Sequence, residues 1–342
     1  MRPCTALFMN NGISLPREVV LPDRSAPAQV AVRVDGDRIA VDLSHAGGGA
    51  AGAVLNGRRL VLAKPVRDAA GWANGAVLSL VQDEATLRLA PTEGRDHVDF
   101  TDPRPGPDGL PLPPHYLVEA FTSHPDPEQA VAVGERIARW SLDTAARHGA
   151  RLSEGGRFLD FGCGSGRVVR HVPRLSGASG IGTDLHADAI AWARMHLPGI
   201  DFLDGVLRPP LPLGDGTVDA MLALSVLTHL DAAHCDAWLR EWRRILRPGG
   251  IALVTFHGEG RIESRLAAHP EHRALVERRI AEGGGLYFHA DEAWAGVFPD
   301  LYQTTYHAYD HVRRVWGAIF ELVEIVPASA FPNGQDMAVL RA

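Results

Sequence analysis

Three histidines and three aspartates carry most of the chemistry that this chain offers. His229 lies in Ser225-Val226-Leu227-Thr228-His229-Leu230, and His257 in Thr255-Phe256-His257-Gly258; each follows an apolar run that reads as a strand. His307 stands four residues before His311 in Tyr306-His307-Ala308-Tyr309-Asp310-His311. A neutral imidazole beside a reacting hydroxyl or amine can take its proton, so these three are candidate general bases. Asp160, Asp184 and Asp204 each sit in or at the end of a strand-like run. A carboxylate placed there can accept hydrogen bonds from ligand hydroxyl or amino groups.

Asp160 belongs to the most informative stretch, Phe158-Leu159-Asp160-Phe161-Gly162-Cys163-Gly164-Ser165-Gly166-Arg167-Val168. It reads as a buried strand, then a glycine-rich loop, then the start of a helix. Gly162, Gly164 and Gly166 let the backbone turn sharply and approach a ligand. Such loops bind nucleotide-like molecules at the carboxyl edge of a parallel sheet. The spacing here is Gly-x-Gly-x-Gly, not the Gly-x-Gly-x-x-Gly of a dinucleotide fold. Asp160 would repel a pyrophosphate and suits a cationic ligand with an amino group. Cys163 reads as a small space-filling residue, because nothing near it in sequence suggests an activated thiolate.

The elements that must position these residues follow in order. Gly180 to Asp184 reads as a second strand, and Ile200 to Leu203 as a third after the turn signal Pro198-Gly199. Val218 to Val226 is the fourth. Leu246-Arg247-Pro248-Gly249-Gly250 ends a helix and turns into a fifth strand, Ile251 to Phe256. A helix over 127–148 precedes the glycine loop, with Val131, Val133, Ile137, Trp140 and Leu142 on its apolar face. Asp231 caps a helix that buries Trp238, Leu239, Trp242, Ile245 and Leu246. Phe320 to Val326 and Met337 to Leu340 read as closing antiparallel strands. Asp219 reads as a structural residue in the turn before its strand.

Together these elements resemble the class I S-adenosylmethionine-dependent methyltransferases over residues 115–342. The resemblance implies an α/β fold, a doubly wound Rossmann-like seven-stranded sheet, with S-adenosyl-L-methionine as cofactor. It places Asp160, Gly162, Gly164 and Gly166 at the cofactor's amino-acid end. Asp184, with Leu185, falls at the ribose, and Asp204, with Gly205, at the adenine. Ser225, near the end of the fourth strand on the same side, is counted with them as a cofactor-binding residue. His229 is the first choice of base, then His257, then His307. The acceptor is expected to be an oxygen or nitrogen of a small molecule, a sugar or secondary metabolite. The Asn/Asp-Pro-Pro-Tyr signature of nucleic-acid methyltransferases is replaced here by Ser225-Val226-Leu227-Thr228. A nicotinamide-dependent oxidoreductase and a non-catalytic cofactor-binding protein are the alternatives.

The domain before this core is expected over residues 1–100, with a proline-rich stiff linker at 101–115 and the methyltransferase domain at 116–342. Residues 28–90 read as antiparallel β-structure, a sandwich or part-barrel, with hairpins at Asp35-Gly36, Asn56-Gly57 and Asp83-Glu84. Its role is expected to be packing or dimerisation to a homodimer, or holding a substrate or carrier. Residues 258–310 form a long insertion, read as a substrate lid. It holds a helix from Ile262 to Arg279, the hinge Gly283-Gly284-Gly285, and Tyr287, Phe288, Trp294, Phe298 and Tyr302. Gln335-Asp336 is expected to face the substrate pocket. His307 and His311, with His289 and Asp291 upstream, could face one metal if helical. No Glu lies between the pair in the protease pattern and no thiolate joins them, so no metal is assigned.

Composition narrows the class. With 342 residues, 46% hydrophobic, the chain can build two modest cores. A net charge of −7 without a basic cluster argues against an extended nucleic-acid surface. Three cysteines make no disulfide framework and suit a reducing, cytoplasmic setting. The first residues are too short in apolar length for a signal peptide, and no run approaches the ~20 residues that span a bilayer.

Overall fold

A computed structural model describes residues 4–9, 12–15, 19, 21, 28–43, 52–56, 59–72, 76–91, 104–122, 126–282, 285–289 and 303–342. The described residues fall into two compact units, one up to Ala130 and one from Val131 onward. That boundary lies beyond the expected 115/116. The helix His115–Phe121 packs on the first strand and so belongs to the first unit.

The first unit is a barrel built from β1 (Cys4–Met9), β2 (Gly12–Ser14), β3 (Ala28–Asp35), β4 (Arg38–Asp42), β5 (Ala53–Asn56), β6 (Arg59–Leu62), β7 (Val77–Asp83) and β8 (Thr86–Pro91). The strands close in the order β1-β2-β6-β5-β3-β4-β8-β7, every neighbour antiparallel. The expected hairpins are present as β3–β4, β5–β6 and β7–β8, with Asp35 opposite Arg38 and Asp83 opposite Thr86. Gly57 lies outside the described residues. Alternate positions point inward: Ile39 and Val41, Leu87 and Leu89, Leu78 and Leu80 are all buried and fill the interior with apolar side chains. An eight-stranded barrel has an interior just wide enough for that. Helix α1 (Lys64–Ala70) follows β6, and α2 (His115–Phe121) ends the unit's described elements. The proline-rich stretch is no simple rod. Leu112 N–H donates to Arg104 O at 2.8 Å and Gly106 N–H to Leu110 O at 2.7 Å, closing a tight loop with Leu112 buried.

The second unit is a sheet in the order β11-β10-β9-β12-β13-β17-β16, as expected for the doubly wound α/β class. Its strands are β9 (Arg157–Phe161), β10 (Ser179–Asp184), β11 (Ile200–Asp204), β12 (Val218–Ala223), β13 (Leu246–Phe256), β16 (Glu321–Val326) and β17 (Asp336–Arg341). The first five pair in parallel; β17 runs antiparallel to both β13 and β16. Strand alternation splits the core into two layers. Leu159, Phe161, Met221 and Val254 pack under Trp238 and Trp242 of α6 (Ala232–Ile245). Phe158, Leu222 and Leu253 pack under Val133 and Ile137 of α3 (Pro127–Arg147). Asp231 caps α6 by accepting from His234 N–H at 2.9 Å. Asp219 accepts Arg157 N–H at 2.8 Å and pairs with Arg247 at 2.6 Å, a structural clasp. The remaining helices of the sheet's crossovers are α4 (Val172–Ser176) and α5 (Ala187–His196).

Three elements differ from expectation. Strand β12 ends at Ala223 rather than Val226. Strand β13 begins at Leu246, and its register against β12 jumps from Leu246 to Ile251 to absorb Arg247–Gly250. The helix expected from Ile262 to Arg279 is two, α7 (Glu259–Ala268) and α8 (Arg273–Ala281), because Pro270 cannot continue a helix. A two-stranded ribbon, β14 (Leu286–His289) with β15 (Gln303–Tyr306), and α9 (Tyr309–Val315) complete the unit. Gly283, Gly284, Asp291, Trp294, Phe298 and Tyr302 of the expected lid lie outside the described residues, as do the side chains of Tyr287, Phe288 and His289. No helix among the described residues is long and apolar enough to cross a membrane.

Candidate active site

The glycine loop leaves the carboxyl end of β9 and is tied to β10. Gly162 N–H and Cys163 N–H both donate to Thr183 O, at 2.8 and 3.0 Å. Gly162 has φ +78°, and a Cβ there would meet Val226 Cγ2 at 2.7 Å. Gly166 has φ +81°, and its Cβ would meet Leu197 Cδ1 at 2.7 Å. Both positions therefore need glycine twice over, for conformation and for space. Cys163 is buried, and burial pushes its thiol well above the usual range, which suits the packing role read from sequence.

Asp184 couples the loop to the tip of β10. Its Oδ2 accepts Gly164 N–H at 2.7 Å and its Oδ1 accepts His186 N–H at 2.9 Å. Burial raises its pKa, while these amides pull the other way. The tip of β11 is pressed against it: Gly205 N–H donates to Asp184 O at 2.9 Å, and a Cβ on Gly205 would lie 2.7 Å from Leu185 N. Leu185, Val206 and Leu207 expose apolar side chains beside these tips. Asp204 is exposed and accepts from Arg194 Nη1 at 2.8 Å, while Nη2 of the same guanidinium donates to Phe202 O at 3.0 Å.

Asp160 is placed differently from the reading that set it at a ligand's cationic end. It is 1% exposed, and its Oδ2 accepts Val169 N–H at 3.1 Å. It shares the face of β9 with Phe158, so its carboxylate lies beneath the loop and anchors the turn that follows. Burial pushes its pKa up to about 7, with the Arg167 guanidinium opposing. An unfolded Asp titrates near ~3.9. Between the two values the folded chain holds a proton that the unfolded chain has lost, so stability falls as pH rises through this window and levels off above about 7. Asp160→Asn keeps an oxygen for Val169 N–H without the charge. Thermal melts at pH 5 and pH 8 should show a smaller loss on the alkaline side for the variant. Identical losses would mean that Asp160 does not carry this linkage.

On the other side of β9 the ends of β12, β13 and β17 gather polar side chains. Ser225 has φ +59°, a strained value for a residue with a side chain. Its N–H donates to Thr255 Oγ1 at 2.7 Å and its Oγ to Gln335 Oε1 at 3.0 Å. The next turn carries His229, half-buried, whose N–H donates to Val226 O at 3.0 Å. Thr305 of β15 holds both flanking carbonyls, Thr228 O through its N–H and Leu230 O through its hydroxyl, each at 2.8 Å. Thr305 O faces His257 Nδ1 at 3.2 Å. A carbonyl can only accept, so Nδ1 carries the proton and Nε2 keeps its lone pair. Burial, with the Arg261 charge, lowers the His257 pKa to about 4.

His307 is not on display. It is fully buried, its Nε2 lies 3.2 Å from Leu227 O, and its ring packs against Phe256, Trp316 and His311. Burial lowers its pKa to about 3. His307 precedes α9 instead of sharing it with His311, so the pair does not have helical spacing. Sequence reading named Gln335 and Asp336 but not their partners. Asp336 accepts the Tyr309 hydroxyl at 2.6 Å and Gly258 N–H at 3.0 Å, and burial raises the Tyr309 pKa. Thr305 carried no signal at all, because its partners lie far away in sequence.

Comparison with known proteins places part of the chain among methyltransferases. Residues 159–254 match the family model described as a methyltransferase domain. Malonyl-[acyl-carrier protein] O-methyltransferase of Yersinia pestis is 35% identical over 149 residues, covering 40% of this chain and 53% of that protein. An uncharacterized methyltransferase of Synechocystis sp. is 32% identical over 124 residues, covering 36% of this chain and 55% of that protein. The chain thus spans about half the length of the curated relatives it matches. The solved S-adenosylmethionine-dependent methyltransferase of Mesorhizobium loti aligns with a TM-score of 0.42 at 15% identity, over 61% of this chain and 100% of that one.

Proposed function

We propose, since this chain belongs to the class I S-adenosylmethionine-dependent methyltransferases, that it moves the cofactor's methyl group to an oxygen or nitrogen of a small molecule, a sugar or secondary metabolite. The observation that carries the reading is Asp184. It holds the glycine loop by Gly164 and stands beside the exposed apolar Leu185, Val206 and Leu207. A carboxylate next to an apolar shelf fits a ribose joined to a flat base. The glycine-only positions 162 and 166 fit a backbone that a ligand approaches closely. When bound, S-adenosylmethionine supplies a methyl group already activated on a sulfonium. The chain's residues then have to align an acceptor and hold its proton. His229 is the residue proposed to hold it, on a turn fixed at both flanks by Thr305. Ser225 and Gln335 orient the acceptor beside it. The O-methyltransferase name of the Yersinia relative supports an oxygen acceptor.

Calorimetric titration with S-adenosylmethionine tests the cofactor half. Hydrogen bonds to a charged group contribute about 1.5–3 kcal/mol. Asp184→Ala should therefore weaken binding at least about tenfold. Unchanged affinity would remove Asp184 from the site. Incubation with a metabolite pool tests the catalytic half by release of S-adenosylhomocysteine. Tight binding without release would favour the non-catalytic reading.

A further inference from the structure

We propose that the corner between α7 and α8 binds a divalent transition-metal cation through His269, Glu271 and His272. Pro270 breaks the helix there, and Pro270–His272 form a single 3-10 turn. The turn is fixed at both ends: His269 N–H donates to Arg265 O at 2.8 Å and His272 N–H to His269 O at 3.0 Å. In a 3-10 turn residues three apart eclipse one another. The two imidazoles accordingly stack, with ring centroids 5.2 Å apart and planes 24° apart.

Glu271 reaches the same side. Its Oε1 lies 3.2 Å from His269 Nδ1 and 4.0 Å from His272 Nε2, and one donor atom from each residue lies within 4.8 Å of the others. Zinc bonds to imidazole nitrogen and carboxylate oxygen are about 2.0–2.2 Å, so donors around a tetrahedral ion stand about 3.3–3.5 Å apart. The first separation lies just under that range, and rotation of the exposed Glu271 side chain brings in the second. Arg273, next in the chain, is turned to Glu277 at 3.6 Å. Two imidazoles and one carboxylate select zinc, copper, nickel or cobalt over magnesium or calcium, which prefer all-oxygen sites. Three ligands from one turn leave the other coordination positions to water. The cation then clamps the corner of the insertion.

Zinc titration into the metal-stripped full chain, followed by calorimetry, tests this. One saturable site per chain is expected. His272→Ala and Glu271→Gln should each weaken it at least about tenfold, since loss of even an outer partner costs 10–100-fold. Affinity for S-adenosylmethionine should not change in either variant. The chain has 16 histidines, so zinc affinity unaltered by both substitutions would place the metal elsewhere and overturn the proposal. So would the lack of saturable binding, which would leave the trio as a surface ion pair only.

Discussion

Replacing His229 by alanine should lower the methyl-transfer rate by about 10²–10⁴-fold, with little change in cofactor affinity. The expectation rests on rigidity. Thr305 holds the carbonyls on both sides of His229, so the imidazole is carried on a turn that cannot drift. His257 competes for the role, since its Nδ1 proton goes to Thr305 O and frees Nε2. The two can be separated by pH. His257 has a pKa of about 4, so with His257 as base the rate rises only in acid and is flat across neutrality. A rise near ~6.5, where an unperturbed histidine titrates, would therefore exclude His257 as the base. Single-turnover rates of His229→Ala and His257→Ala, with any acceptor the wild type methylates, decide between them. Full activity in both variants would mean that alignment alone drives transfer. Equal loss of cofactor and acceptor binding would make His229 a structural residue.

Gly134→Ala, in the middle of α3, should destabilise the second unit. Helix propensity alone predicts the opposite, because alanine is better than glycine in a helix by about 1 kcal/mol. Packing outweighs it. A Cβ on Gly134 would overlap the Arg167 carbonyl oxygen and lie 2.7 Å from its carbon. The obstacle is backbone, which has no rotamer to yield, and overpacking of this kind costs about 1–3 kcal/mol or more. Taking the upper figure, the net loss is about 2 kcal/mol, or about 4–8 °C in melting temperature for a unit of this size. Arg167 follows Gly166, so relief of the overlap would also shift the loop and weaken cofactor binding. A variant that melts at or above the wild-type temperature would show that α3 does not rest on the loop here.

The parallel half of the sheet was readable because each strand announces itself locally. Phe158 to Phe161 and Val218 to Ala223 are short apolar runs bounded by turn residues, and their order fixes the crossovers. Asp184 was readable for the same reason, standing at a strand tip next to the loop that it binds. What escaped depends on contacts distant in sequence. The closure of β1 on β7 joins Cys4 to Leu80, and no local pattern encodes it. The burial of His307 is imposed by Phe256 and Trp316. The inward turn of Asp160 follows from which face of β9 it occupies, a register that one strand alone does not reveal. The need for glycine at 134 has no local signal, because its reason lies on another element. Pro270 is a local signal that the periodicity around it outweighed.

Every described strand of the barrel pairs with a strand on each side, which shortens the rows of unpaired amides and carbonyls that a sheet edge presents. Strand addition, one way for a β-unit to capture a peptide or a second copy, is therefore disfavoured at the described strands of the first unit. A companion of these strands would then be recognised by side chains on the outer faces of the staves. The same closure shortens the template on which a neighbouring chain could grow a β-aggregate.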